Sequence, residues 1–477
     1  MTRVPWLPIK LGPCSNGEFQ PRPSSAVVQE AMRRAEAACE ANARRLGMSR
    51  RRFLASTCGA ATTLLVLAAC SDEAHRASGL TTSAPGGTFA IPPEATTEST
   101  AADAALGGEE PIVDVQTHLL EFDPAHPPAG NSFGSGFPQA SCGDAEWWQC
   151  FSVDHWMEKV FLESDTTMAV ISAVPVVADP DPLSIEVMEQ ARRVAEELCG
   201  DGRVLLQGHA VPNVGRPAAA LDAMAALVGD HPVAAWKVYT HYGDGFFLDD
   251  DGIGAGFLAK VEELGVPIVS VHKGFSGGDR FAAPVDIGPA AVAHPGIAFV
   301  VYHSGFEPGN AEGPYDPEGN GVDRLVRTVS ETGIAPGSNV YAELGSTWRT
   351  VMGSPDEAAH VLGKVLTAVG EDNVLWGTDS IWYGSPQDQI QAFRAFEITG
   401  EFQERVGYPP LTPEVKAKIL GGNAARLYDV DPATAPCRFD RAELARIREE
   451  RAFVPVTEGP VAAGEVAATF RRDHPWF

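Results

Sequence analysis

The chain has 477 residues, of which 44 % are hydrophobic and 21 % are charged, a composition that indicates neither a disordered chain nor a multispanning membrane protein. Its formal net charge is −27, and residues 71–477 hold 59 Asp and Glu against 26 Lys and Arg. Because an acidic surface repels phosphate backbones, we expect no nucleic-acid partner, and the charge favours solubility.

Residues 1–70 predict a leader and an export signal. The segment Ser49-Arg50-Arg51-Arg52-Phe53-Leu54 resembles a twin-arginine signal, and Leu67-Ala68-Ala69-Cys70 resembles a bacterial lipobox. The apolar run 53–69 contains Gly, Ser and Thr and is too weakly apolar to be assigned as a spanning helix. We therefore expect an exported protein of the cell envelope or periplasmic side, lipid-anchored at Cys70 and otherwise free of the membrane. A buried core helix is the alternative, and translation starts at Met1 or at Met48.

The cysteines beyond the signal are few. They are Cys142, Cys150, Cys199 and Cys437. Outside the cytoplasm thiols tend to pair, so Cys142 and Cys150, eight residues apart in a loop-like stretch, are candidates for a disulfide. Two free or buried cysteines are the alternative, and the spacing does not match a zinc motif.

Residues 71–110 and 111–430 have different compositions. The first segment is rich in Ser, Thr, Ala, Gly and Pro with almost no large apolar side chains, which predicts a flexible linker. In the second, short apolar runs alternate with helix-like segments, an order typical of a parallel sheet. The eight strand candidates are 111–118, 168–174, 204–211, 233–239, 266–272, 297–303, 339–344 and 373–379. Eight is the number that closes a (β/α)8 TIM barrel, and the competing doubly wound sheet lacks its glycine-rich phosphate turn.

Helices, long loops and a tail complete the predicted architecture. Helices are expected at 183–199, 216–229, 254–264, 321–333 and 356–369. Insertions at 119–165, 273–295 and 304–320 are expected at the carboxyl face of the barrel, where they would cover the substrate. Ordinary aromatic packing is the alternative for Trp147, Trp148 and Trp156. Residues 431–477 are predicted to be a tail with a helix at 438–451.

Four of the predicted strands end in residues that can bind a metal or move a proton. IVDVQTH ends at His118, VPIVSVH at His272, IAFVVYH at His303 and NVLWGTD at Asp379. The carboxyl ends of barrel strands are where barrel enzymes collect their active-site groups. Residues two apart in a strand face the same side, so Gln116 projects with His118. The four segments therefore predict one site.

These pieces resemble the amidohydrolase superfamily, and within it the amidohydrolase-related branch that contains aminocarboxymuconate-semialdehyde decarboxylase. The matching pieces are Asp114-Val115-Gln116-Thr117-His118, His272, His303, Gly377-Thr378-Asp379 and the closing segment 419–428. The likeness spans about 111–430. It implies a TIM barrel and metal-dependent chemistry, and it does not identify a substrate.

The resemblance also implies a role for each residue of the predicted site. His118, His272 and Asp379 would bind one divalent metal ion, with Gln116 in a place normally held by a histidine. Zinc is the first expectation, with manganese or iron as alternatives. An ion with an open position lowers the pKa of its bound water. Asp379 would accept the proton from that water, and His303 would polarise the substrate carbonyl or donate a proton to the leaving group.

Other polar residues at the strand ends extend the predicted site. Glu343 is expected to contact the substrate or to supply a carboxylate that compensates for the weak amide ligand, with a surface or supporting role as the alternative. Some relatives carboxylate a lysine at the place of Lys237 to bridge two metals, but the single histidine on the first strand favours one metal. Lys237, Tyr239 and His241 are predicted to bind an anionic substrate, with ordinary packing as the alternative.

The sequence thus predicts an enzyme acting on a small molecule. The leading hypothesis is a metal-dependent hydrolase that cleaves an amide, ester or lactone bond through a metal-activated water. A non-oxidative metal-dependent decarboxylase is the second, and a non-catalytic binding lipoprotein is the third. The oligomeric state is left open, with a homo-oligomer allowed.

Overall fold

The computed structural model describes most of the chain. The described residues are 7–19, 21–79, 85–122, 147–175, 181–275, 277–309, 311–432 and 435–450.

Eight parallel strands form a barrel in chain order, as predicted. The strands of the protein are β1 (Gly87–Phe89), β2 (Val113–Thr117), β3 (Met168–Ile171), β4 (Val204–Ala210), β5 (Val233–Tyr239), β6 (Ile268–His272), β7 (Ala298–Tyr302), β8 (Val340–Glu343), β9 (Val374–Leu375) and β10 (Phe396–Ile398). Strands β2 to β9 pair with their sequence neighbours. Helices cover the barrel from outside, so the strands are buried on both faces and read as apolar runs. This confirms the (β/α)8 fold.

The barrel closes between β2 and the residues after β9. The Val115 nitrogen donates to the Trp376 carbonyl at 3.1 Å, and the Asp379 nitrogen donates to the Gln116 carbonyl at 2.9 Å. The last strand is shorter than its predicted range, 373–379, because the chain leaves regular strand geometry before Asp379, whose φ is 59°. The closure therefore places Asp379 beside the end of the first barrel strand.

The helices include those predicted between the strands. They are α1 (Ala26–Arg45), α2 (Arg50–Leu54), α3 (Thr57–Ala77), α4 (Ser99–Leu106), α5 (Val153–Trp156), α6 (Ile185–Cys199), α7 (Pro217–Asp230), α8 (Ile253–Leu264), α9 (Ile287–Ala293), α10 (Val322–Glu331), α11 (Thr347–Val351), α12 (Pro355–Val369), α13 (Gln387–Ala395), α14 (Gly400–Val406), α15 (Pro413–Ala417), α16 (Asn423–Tyr428) and α17 (Arg441–Glu450). Several of them end at a glycine, and Gly265 after α8 adopts the left-handed conformation (φ 67°) that favours this residue.

The region expected to be a leader packs against the barrel helices. Helices α1 and α3 lie against each other, and Cys39 and Leu64 are fully buried between them. Phe53 of the twin-arginine motif is fully buried, and Cys70 of the lipobox is 5 % exposed. No helix among the described residues is long and apolar enough to cross a membrane. The structure thus describes 53–69 mainly as part of a buried helix, the alternative left open by the sequence, while export and lipid anchoring stay predictions.

The structure differs from the expected flexible linker over 71–110. Residues 71–77 end α3, β1 pairs antiparallel with β10, and α4 packs against α3 and α13. Ala95 and Ala102 are fully buried, and Leu106 is 1 % exposed. Small side chains let these elements approach closely, so a count of large apolar residues underestimates their packing.

The long insertions lie partly outside the described residues. Trp147 and Trp148 follow the undescribed part of the first insertion, and Trp156 is fully buried with its ring 5.3 Å from Phe161. Trp156 therefore takes the alternative role, ordinary packing. The second insertion contains α9.

The tail is tied to the barrel by a disulfide that the sequence did not predict. Cys437 bonds Cys199 at the end of α6, with Cα atoms 5.3 Å apart. Cys150 is disulfide-bonded, but Cys142 lies outside the described residues, so the predicted pair stays a prediction. Helix α17 packs against α5 and α6.

Candidate active site

A cavity lies at the carboxyl ends of the barrel strands. Six of the nine residues predicted for the site line it: Gln116, His118, Tyr239, His272, His303 and Asp379. These residues come from four strands and from the segment after β9, which the barrel brings together from up to 263 positions apart. Lys237, His241 and Glu343 lie close by but are not part of the lining.

Asp379 and His118 face each other at the centre of the site. The Asp379 Oδ1 lies 3.0 Å from His118 Nε2 and accepts a hydrogen bond from Trp382 Nε1 at 3.2 Å. The hydroxyl of Ser346 donates to Asp379 Oδ2. Burial by itself raises the pKa of the Asp379 carboxyl, but the hydrogen bond and electrostatic attraction of His118 outweigh it and hold the pKa below its ordinary value. Asp379 is therefore a carboxylate at neutral pH.

The hydrogen bond made by His118 Nδ1 determines whether Nε2, the nitrogen that faces Asp379, carries a proton in the neutral ring. His118 Nδ1 is 2.7 Å from the Ser172 carbonyl, to which it donates. In a neutral ring this leaves a lone pair on Nε2, directed at the Asp379 carboxylate 3.0 Å away. Two such acceptors repel each other unless a proton or a cation lies between them. An imidazole held by a backbone carbonyl is the usual form of a metal-binding histidine.

Gln116 contacts both Asp379 and His118. Its Nε2 donates to Asp379 Oδ1 at 3.0 Å and lies 3.4 Å from His118 Nε2. Its Oε1 is buried without a hydrogen-bond partner among the described residues. In this geometry Gln116 stabilises the carboxylate, and metal ligation by its oxygen stays a prediction.

His272 and His303 form the second half of the site. Their ring centroids are 4.7 Å apart, both rings are buried, and the Nε2 atom of each has no hydrogen-bond partner among the described residues. Burial lowers the pKa of His303 to about 4 and the pKa of His272 well below its ordinary value. Both rings are therefore neutral and present free lone pairs, which is the state that binds a cation.

The backbone around the site is strained. His303, Ser304, Ser346 and Asp379 have φ values of 62°, 52°, 56° and 59°. A residue other than glycine costs about 1–3 kcal/mol in such a conformation and is retained where the surrounding structure imposes it. The His303 ring is held by its Nδ1, 2.7 Å from the Gly345 carbonyl, and its own carbonyl accepts from the Thr347 hydroxyl at 2.8 Å.

Glu343 holds this strained turn instead of facing the cavity. Its Oε2 accepts the His303 backbone N–H at 2.8 Å, and its Oε1 accepts the Gly345 N–H at 2.5 Å. Burial raises the pKa of Glu343 to about 8. The structure thus favours a positioning role for Glu343 over the predicted contact with substrate.

Lys237 lies below the cavity. It is fully buried, its Nζ is 3.6 Å from the centre of the Tyr302 ring and 4.5 Å from that of Tyr239, and no hydrogen-bond partner is found among the described residues. Burial lowers its pKa to about 7. Tyr239 lines the cavity, with its hydroxyl donating to the Ala173 carbonyl at 2.9 Å, and the His241 ring lies 4.8 Å from that of His272.

Sequence reasoning missed several residues that line the site, among them Trp382 and two residues far ahead of the barrel. Asn16 and Glu18 line the cavity and belong to residues 7–19, which we call the N-terminal strap. Asn16 Nδ2 donates to Asp379 Oδ2 at 2.8 Å, and Glu18 Oε1 lies 3.7 Å from His272 Nε2. No strand pattern or motif marks the strap, and it precedes the segment that resembles an export signal. Only its position in the folded chain reveals it.

The residues of the site fit a divalent cation. Glu18, His272 and His303 each offer a ligand atom, and these atoms lie within 4.8 Å of one another. The facing pair of His118 and Asp379 provides a further nitrogen and a carboxylate. Nitrogen and oxygen ligands in this combination suit zinc, manganese or iron.

The chain matches a known protein family. A family model described as Amidohydrolase matches residues 113–430. No curated protein matches the chain.

Several solved structures are similar in fold. A probable 2-pyrone-4,6-dicarboxylic acid hydrolase from Acinetobacter baumannii, with citric acid bound, has 13 % identity and a TM-score of 0.40, over 67 % of this chain and 99 % of that one. The 2,6-dihydroxybenzoate decarboxylase from Rhizobium has 15 % identity and a TM-score of 0.39, over 67 % and 99 %. A 5-carboxyvanillate decarboxylase from Novosphingobium aromaticivorans, complexed with manganese, has 13 % identity and a TM-score of 0.40, over 68 % and 97 %.

Proposed function

Since the chain belongs to the amidohydrolase family, as the match over residues 113–430 shows, we propose that it is a metal-dependent hydrolase that cleaves an amide, ester or lactone bond of a small molecule. The observation that carries this proposal is the pairing, across one cavity, of an ionised carboxylate with a neutral imidazole. Asp379 can accept a proton, and the free Nε2 of His303 faces the same space.

In this proposal each side chain of the site has a separate role in hydrolysis. When bound, one divalent ion would supply Lewis acidity and lower the pKa of a water molecule. His118, His272 and Asp379 would hold that ion, and Asp379 would accept the proton of the attacking water. His303, fixed by the Gly345 carbonyl, would take up a proton from solvent at Nε2, polarise the scissile carbonyl and give that proton to the leaving group, while Asp379 would return the proton of the water to solvent. Trp382 and Gln116 keep the Asp379 carboxylate oriented.

The lining of the cavity restricts the substrate. Buried side chains of the barrel strands, together with Asn16 and Glu18, surround it, which suits a small molecule. The Lys237 amine lies 4.5 Å from the centre of the Tyr239 ring, and an anionic group on the substrate would stabilise its protonated form. We therefore expect a compact acyl compound with a carboxylate.

Decarboxylation is the second candidate because of the same lysine. A decarboxylase must hold a substrate carboxylate, and the Nζ of Lys237 is a buried amine without a hydrogen-bond partner among the described residues, which a nearby carboxylate would keep protonated. The products separate the two reactions. A decarboxylase releases carbon dioxide, whereas a hydrolase yields products that carry one oxygen from the solvent.

A substrate screen tests the proposal. Purified protein loaded with one equivalent of Zn²⁺ or Mn²⁺ is offered small amides, esters, lactones and aromatic carboxylates in ¹⁸O-labelled water, and the products are weighed by mass spectrometry. We expect ¹⁸O in the acid product and a loss of about 10²–10⁴-fold in kcat for Asp379→Asn and His303→Ala. Release of carbon dioxide together with an organic product that carries no ¹⁸O would show that the enzyme is a lyase and not a hydrolase.

A matched histidine provides the control. His294 precedes β7 at the other end of the barrel and pairs with Glu262 at 2.9 Å. His294→Ala should keep wild-type kcat. If the protein binds its metal but turns over no compound of either class, the non-catalytic binding function takes precedence.

A further inference from the structure

The N-terminal strap is fixed to the rim of the barrel. The Lys10 backbone nitrogen donates to Asp388 Oδ2 at 2.9 Å, and its Nζ donates to the carbonyls of Tyr383 and Ser385 at 2.8 and 2.7 Å. Farther along, the Gly12 carbonyl accepts from Arg349 Nη2 at 3.2 Å. These contacts join residues about 340–380 positions apart, so the strap lies across the rim as part of the folded protein.

The tip of the strap is a tight turn aimed into the cavity. Gly17 has a φ of 94°, and its nitrogen donates to the Ser15 hydroxyl at 2.9 Å. The Asn16 Oδ1 accepts the Glu18 nitrogen at 3.0 Å, which fixes the backbone of Glu18. The Phe19 ring packs against Phe275 with centroids 4.8 Å apart. The turn therefore has one orientation, with the Glu18 carboxyl toward His272.

Asn16 joins the two carboxyl groups that meet in the site. Its Nδ2 donates to Glu18 Oε2 at 2.6 Å and to Asp379 Oδ2 at 2.8 Å. This leaves Glu18 Oε1 as the oxygen nearest to His272 Nε2, at 3.7 Å. The distance is too long for a hydrogen bond, yet it is close to the separation of about 3–3.5 Å between two ligands of one ion whose bonds are about 2.1 Å.

The ligand set of the barrel alone lacks one strong member. Gln116 occupies the place where the resemblance implies a histidine, and its amide nitrogen donates to Asp379. A neutral amide oxygen is a weaker ligand than imidazole or carboxylate. A carboxylate from another part of the chain would restore the ligand number with a stronger, anionic ligand.

We propose that Glu18, carried by the N-terminal strap, is a ligand of the catalytic metal ion and takes the place that Gln116 leaves weakly filled. This inference rests on the proposed metal-dependent function. It assigns to residues outside the barrel domain a direct part in the metal centre, with Asn16 as the positioning residue that holds Glu18 beside Asp379.

Metal affinity measured without turnover tests the proposal. The full-length protein is stripped with a chelator, and Mn²⁺ is added while the electron paramagnetic resonance signal of free Mn²⁺ is followed. We expect one site per chain in the wild type, and a Kd at least tenfold higher in Glu18→Gln, which keeps the shape but not the charge. Co²⁺ added to both proteins should give visible spectra of different intensity, since one ligand has changed.

Two further variants complete the test. Glu40→Gln removes a carboxylate from an exposed ion pair with Arg44 on α1 and should keep the wild-type Kd and spectrum. Glu18→Asp keeps the charge with a shorter reach and should bind with intermediate affinity. It also decides the matter if Glu18→Gln does not fold, because a wild-type Kd in Glu18→Asp would then overturn the proposal.

The outcomes separate this inference from the proposed function. If the wild type binds one Mn²⁺ and Glu18→Gln binds it with the same Kd and the same Co²⁺ spectrum, Glu18 is not a ligand, while the metal-dependent function stands. If the wild type binds none of Mn²⁺, Co²⁺ and Zn²⁺, both proposals are overturned.

Discussion

Single residues in the site are held by contacts that leave no room for a methyl group. Glu343 accepts two backbone N–H groups, and its Oε1 lies beside Gly377 on the segment that closes the barrel. A Cβ atom at Gly377 would lie 1.8 Å from Glu343 Oε1 and 3.3 Å from the Gln116 Cβ. The sequence shows a glycine in Gly377-Thr378-Asp379, but only the packing explains it.

Gly377→Ala should therefore destabilise the protein and impair the site. To admit the methyl group, Glu343 must give up hydrogen bonds that hold His303 and Gly345, and we expect a loss of about 2 kcal/mol or more in the free energy of unfolding. Chemical denaturation measures it. Gly296→Ala is the control, since a Cβ atom there meets nothing within 4 Å, and it should be nearly neutral. Equal stability of the two variants would contradict the packing argument.

At the scale of the elements, a disulfide that was not predicted from the sequence joins the tail to helix α6 of the barrel. Cys142 and Cys150 were predicted as a pair because they are close in sequence. The disulfide in the structure links Cys199 and Cys437, which are 238 positions apart. Nothing in the spacing of distant cysteines reveals a pair, because the fold alone brings α6 and the tail together. The strands and helices of the barrel were predicted more fully, since alternation of apolar and helical segments is a local signal.

Loss of this disulfide should loosen the tail. We expect Cys437→Ser to lower the free energy of unfolding by about 2–4 kcal/mol, since the cross-link no longer restricts the unfolded chain. Thermal or chemical denaturation measures the change. Cys199→Ser and the double variant should lose the same amount, because only one bond is removed in each case. Additive losses in the double variant would show that the two cysteines act separately.

For the whole molecule, the region before the barrel is the part that sequence reasoning described least well. Its motifs resemble an export signal, and its composition suggests a linker. However, its helices pack on the barrel helices, and Asn16 lines the cavity. An apolar helix that follows three arginines has the same sequence pattern whether it is a cleaved signal or a buried helix of the folded protein. Contacts between residues 378 positions apart, such as the one between Lys10 and Asp388, produce no local pattern in the sequence that could predict them.

Export with cleavage at Cys70 would remove the strap from the site. We therefore predict that the active form of the protein retains Glu18, so that any signal in this region acts without being cut. Peptide mapping and intact mass of the active fraction from the native host measure this. An active protein whose first residue is a lipidated Cys70 would support the lipoprotein prediction and contradict an essential strap.

The anchoring of Lys10 beside Tyr383 and Ser385 also sets an order of events during synthesis. The strap cannot dock until the last barrel strand and the segment after it have been made, because the carbonyl groups that hold Lys10 follow that strand in the chain. The strap therefore stays undocked while the barrel is being translated, and the site becomes complete only when the strap has settled onto the segment after β9.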